Sequence, residues 1–65
     1  MKITVNGETV ETGARSLAAL LEELGYGGIV VATAVNGDFT PAGRRAEIEL
    51  KDGDQIEVLA PMQGG

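Results

Sequence analysis

The chain has 65 residues, enough for one domain, and a domain of that size buries only about 60% of its unfolded surface. It contains no cysteine and no histidine, which excludes disulfide staples and the Cys/His metal sites that often rescue small folds. A formal net charge of −5 repels phosphate backbones, so nucleic acid is an unsuitable partner, whereas a protein with a basic docking surface is a suitable one. The same charge also serves solubility alone.

Aromatic residues are confined to Tyr26 and Phe39, so the core must be aliphatic. Residues 1–15 alternate apolar with polar and contain no continuous apolar run of the kind a secretory signal needs. The longest mainly apolar stretch, 29–35, is far too short to span a bilayer. The expectation is a cytoplasmic protein without membrane association.

Residues 1–5 alternate, with Ile3 and Val5 on one face, and predict a strand. Asn6-Gly7 follows, the favoured pair for a type I′ turn because both central residues need positive φ. Residues 8–11 return, with Val10 facing inward, so the chain opens with a hairpin. After a connector at 12–15, Ser16 stands where an N-cap belongs. Leu17, Leu20, Leu21 and Leu24 then recur at i, i+3, i+4 and i+7, one apolar stripe of a helix. Ala18, Ala19, Glu22 and Glu23 lie on or near the other face, and Gly25 supplies a left-handed residue to end the helix.

Past a loop at 26–28, residues 29–35 predict a strand that is apolar on both faces. Such a strand is buried on both sides or leaves one face free for a partner. Asn36-Gly37 marks a second tight turn, and 38–40 a short return strand. Pro41 and Gly43 interrupt pairing, and Arg44-Arg45 are expected in solvent. Ile48 and Leu50 share a face of a short segment, and Asp52-Gly53 turns the chain again. Residues 55–60 form the last predicted strand, with Ile56, Val58 and Ala60 on one side and Glu57 and Leu59 on the other.

The order is β-β-α-β-β-β. One helix covering one face of a small mixed sheet is the simplest way to bury the leucine stripe, an α+β arrangement of the β-grasp, or ubiquitin-like, kind. Parallel pairing of the first and last strands follows from analogy with that fold rather than from periodicity. Residues 1–60 are taken as the domain and 61–65 as a flexible C-terminal tail.

That tail reads Pro61-Met62-Gln63-Gly64-Gly65. Pro61 has no N–H to give a sheet, so it suits the launch of an extended segment. Two glycines without Cβ can thread a narrow slot, and the carboxylate of Gly65 is unhindered. A carboxylate is a poor electrophile and needs activation before it transfers anything. The chain has no Cys nucleophile, no His base and no phosphate-binding Gly-rich loop followed by Lys. Activation must therefore come from a partner that uses ATP, and the chain is read as a carrier rather than an enzyme.

At this point the sequence resembles the ThiS family of sulfur carriers of thiamine (thiazole) biosynthesis. The matching pieces are Val5-Asn6-Gly7-Glu8, the Leu20-Leu21 helix, Ala34-Val35-Asn36-Gly37 with Pro41, Asp52-Gly53-Asp54 with Ile56-Glu57-Val58, and the Pro-Met-Gln-Gly-Gly ending. Ala42-Gly43 departs from the pattern, since family members often carry Arg or Lys and Ser after the proline. The resemblance implies that an E1-like adenylating enzyme forms an acyl-adenylate at Gly65 with MgATP. A cysteine desulfurase persulfide or another donor then supplies sulfur for a thiocarboxylate. Thiazole synthase accepts that sulfur, and the carrier itself holds no cofactor and no metal. Met62, Gln63 and Gly64 are expected to be read by the activating enzyme, and an exposed apolar patch drawn from Leu59, Phe39 and Met62 to dock it. For Phe39 a core position is an equal alternative. Three other readings stay open: a carrier like the small subunit of molybdopterin synthase, a ubiquitin-like modifier that attaches to lysine, and an interaction domain with an inert tail.

Overall fold

The computed structural model describes residues 1–60. Five strands and one helix follow in the order β1 (Lys2–Val5), β2 (Glu8–Glu11), α1 (Leu17–Glu23), β3 (Ala32–Val35), β4 (Asp38–Thr40) and β5 (Gln55–Leu59). A short 3₁₀ helix, Ala42–Glu47, lies between β4 and β5. The strands form one mixed sheet in the order β2-β1-β5-β3-β4. β1 and β5 run parallel through Thr4↔Gln55 and Val5↔Ile56, as the fold analogy requires, and the other neighbours are antiparallel.

Local chemistry explains the turns. Asn6 and Asn36 hold φ of 51° and 50°, and the glycines after them 85° and 87°, the positive pairs of type I′ hairpins. Ser16 Oγ accepts the Ala19 N–H at 3.1 Å, so it caps α1 as its position predicted. Gly25, at φ 89°, follows the helix end.

The leucine stripe closes the core. Leu17, Leu20 and Leu21 meet Ile3, Ala14, Val31, Leu50, Ile56 and Val58, all buried. Leu24 lies at the end of the stripe and only half buries. Strand alternation sends Ile3, Thr33, Ile56 and Val58 toward α1 and leaves the other face of the sheet open.

Four expectations change. The strand predicted over 29–35 pairs only from Ala32, whose partner Leu59 is the last residue of β5. The Ile29 N–H instead closes a turn on the Tyr26 carbonyl at 3.0 Å. Arg44 is exposed as expected, but Arg45 is not left in solvent. Its Nε donates to Thr33 Oγ1 at 3.1 Å and its Nη2 donates to the Val31 carbonyl. The segment after Pro41 is helical rather than merely unpaired, and it carries Arg45 to that contact. Ala60 lies beyond β5 and is exposed, so it does not share the buried side of Ile56 and Val58.

Candidate functional site

The open face of the sheet is divided by chemistry. Register sets Ala34 opposite both Phe39 on β4 and Glu57 on β5, and sets Ala32 opposite Leu59. These residues alternate with the buried Thr33, Ile56 and Val58, so they occupy the face turned away from α1. Toward β1 and β2 the same face carries Lys2, Thr4, Thr9, Glu11 and Gln55. The β3–β4 side is apolar and the β1–β2 side is polar.

Leu59 is 72% exposed, Phe39 70% and Val30 80%. Phe39 is therefore on the surface and not in the core, and Leu59 is likewise exposed. A shallow apolar depression is lined by Val30, Val31, Ala32, Leu59 and Ala60. Exposed aliphatic side chains gathered in one place mark a docking surface more than isolated ones do. Val30 and Ala32 were not singled out from sequence, because their neighbour across the sheet follows from register alone. The signal available was a β-branched run with more apolar residues than one buried face can use.

Leu59 and Ala60 directly precede the segment 61–65, so the apolar surface adjoins the point where that segment begins. Met62, Gln63, Gly64 and Gly65, the residues expected to be recognised and activated, lie outside the described residues. Among the described residues no three Asp or Glu side chains gather as metal ligands would, and no helix is long and apolar enough to cross a membrane.

Comparison with known proteins fixes the lineage. The sequence pattern of the ThiS family matches residues 2–65. The chain belongs to the ThiS family. The crystal structure of the thiamine biosynthesis protein ThiS from Geobacter metallireducens superposes with a TM-score of 0.81 at 33% identity, covering 100% of both chains. That agreement includes the β-grasp sheet and its single helix. A thiazole synthase of Paramagnetospirillum magneticum is 36% identical over 66 aligned residues, covering 100% of this chain. The chain spans only 20% of that relative's length. ThiS membership supports the sulfur-carrier role in thiamine biosynthesis that the sequence resemblance implied.

Proposed function

We propose that this chain carries sulfur as a thiocarboxylate at Gly65 and delivers it for thiazole formation. The observation that carries the reading is the family match, which spans residues 2–65 and so includes Gly65. The tail 61–65 is the reacting segment and the domain 1–60 identifies it to partners.

The chemistry is activation of the Gly65 carboxylate followed by substitution at its carbonyl carbon. The Gly65 carboxylate attacks the α-phosphorus of MgATP on an E1-like adenylating enzyme, and pyrophosphate leaves. The terminal sulfur of a persulfide, formed by a cysteine desulfurase, attacks the acyl-adenylate and AMP leaves. A thiol then takes the persulfide's second sulfur into a disulfide and frees the thiocarboxylate. Apart from the Gly65 carboxylate itself, this chain contributes no acid, base or nucleophile to these steps, only a reachable carbonyl and a docking face. Carrying sulfur on a tail keeps it at high effective concentration beside the acceptor.

Thiazole synthase is the proposed acceptor. In the Paramagnetospirillum magneticum relative, a segment like this chain is part of a longer protein named thiazole synthase, and one polypeptide holding both favours their contact. The apolar surface of Val30, Ala32, Phe39 and Leu59 is the proposed second contact beside the tail.

Intact mass spectrometry tests the reading. Incubation with the adenylating enzyme, MgATP and a sulfur donor should exchange one oxygen for sulfur, localised to Gly65 by fragmentation. An unchanged mass would leave an inert interaction domain, and Gly65 found on lysine side chains in cell extract would make the chain a modifier.

A further inference from the structure

Both Asn-Gly turns reach the central strand β5, one from each side and at opposite ends. Asn36, at the β3–β4 turn, holds the start of β5. Its N–H donates to the Gln55 carbonyl at 2.7 Å, and its Oδ1 accepts the Gln55 N–H at 2.9 Å. Asn6, at the β1–β2 turn, holds the other end. Its Nδ2 donates to the Val58 carbonyl at 3.1 Å, and its Oδ1 accepts the Val58 N–H at 2.9 Å.

The second contact replaces a missing strand. β1 accompanies β5 only as far as Val5↔Ile56, after which the Asn6 N–H donates to the Ile56 carbonyl at 2.9 Å and the chain turns away into β2. Val58 would then present an N–H and a C=O with no strand beside them, although its side chain is buried in the core. A primary amide offers one donor and one acceptor side by side, the same pair a neighbouring peptide group would offer. The Asn6 side chain thus extends the β1 side of β5 by one peptide, across 52 positions of sequence. Val58 is followed by Leu59 of the apolar surface and, three positions on, by Pro61 where the tail begins.

We infer that Asn6 is a positioning residue for the tail: its side chain fixes the end of β5, and so the place and direction from which residues 61–65 leave the domain. This inference rests on the proposed activation of Gly65. A turn needs only positive φ at this position, which glycine also supplies, so the amide has a function separate from the turn. Without the clamp, the end of β5 exchanges among several arrangements. Only a fraction then presents Leu59 and the tail together, and apparent affinity for the activating enzyme falls by that fraction. Once docked, the carbonyl is unchanged, so kcat holds.

Asn6→Gly and Asn36→Gly separate the two functions, since each keeps a Gly-Gly turn and removes one clamp. Amide hydrogen exchange is measured on both variants, then ATP–pyrophosphate exchange with the adenylating enzyme of the same organism. Asn6→Gly should speed exchange at Val58 by about tenfold, the scale of a lost local hydrogen bond, while Ile3 and Leu20 stay slow. Its KM as substrate should rise by about tenfold at unchanged kcat, as expected if a tenth of molecules are competent. Asn36→Gly should speed exchange at the Gln55 N–H and leave KM at the unaltered value. Unchanged exchange at Val58, an unchanged KM for Asn6→Gly, or an equal KM rise for Asn36→Gly overturns the inference. Absence of adenylation in the unaltered chain overturns the proposed function instead, and Val58 exchange still decides whether the clamp exists.

Discussion

Arg45 donates from Nε to the hydroxyl of Thr33 at 3.1 Å, and that hydroxyl donates in turn to the Thr40 carbonyl at 3.1 Å. The second arm of the guanidinium holds the Val31 carbonyl. One cation from the 3₁₀ helix therefore ties β3 to Val31, the residue just before it.

Arg45→Ala removes both donors and strands the Val31 carbonyl beside a buried side chain, a loss expected to cost about 1–3 kcal/mol. Arg44 pairs only with Glu47, at 3.5 Å on the surface, and Arg44→Ala should stay within about 0.5 kcal/mol. Urea unfolding of both variants checks the contrast. Equal midpoints would mean that Arg45 holds nothing.

Leu20 is fully buried under the sheet. Leu20→Ala removes its methyl groups and leaves a cavity, at about 2–5 kcal/mol. A core this small supplies only about 3–5 kcal/mol in net stability, so the variant should lose its cooperative transition near room temperature. Circular dichroism through a thermal ramp reads this directly. A melting curve like that of the unaltered chain would contradict the assigned core.

The parts legible in the sequence are those whose cause is local. Asn6-Gly7 and Asn36-Gly37 announce their turns because few residues accept positive φ, and Ser16 announces a helix start because its hydroxyl can reach a free N–H. The spacing of Leu17, Leu20 and Leu21 announces the buried face. The start of β3 and the exposure of Ala60 depend instead on register against β5, and the hydrogen bond from Arg45 to Thr33 joins residues distant in sequence. For the candidate site, alternation sufficed for Leu59. Phe39 could not be resolved, because a three-residue edge strand carries too little pattern to say which face an aromatic takes. The amide of Asn6 was hidden by its own explanation, since the turn accounted for the residue before its distant contact was known.

Deleting Gly65 should abolish sulfur loading and leave stability unchanged. Among the described residues the buried cluster runs from Ile3 to Val58, within the domain and ahead of the tail in sequence. Gly64→Val should keep the carboxylate but block activation, since a β-branched side chain cannot pass a slot shaped for glycine. Chemical denaturation and loading assays on the same samples check both halves. Normal adenylation of Gly64→Val would remove the steric argument.

Leu59 and Phe39 give the sharpest separation of folding from recognition. Each is exposed on the open face, and neither belongs to the buried cluster. Leu59→Glu and Phe39→Glu should therefore shift stability by no more than about 0.5 kcal/mol. Both add negative charge and remove apolar area where a partner is proposed to sit. Apolar anchors at the centre of an interface commonly contribute about 2 kcal/mol or more, a weakening of tenfold or greater. Leu59 is next to the tail and flanks the apolar depression, whereas Phe39 is on the edge strand, so Leu59→Glu should weaken binding more. Titration calorimetry with the adenylating enzyme and with thiazole synthase measures both variants. Full affinity in both, with the fold intact, would mean that partners hold this carrier by the tail alone.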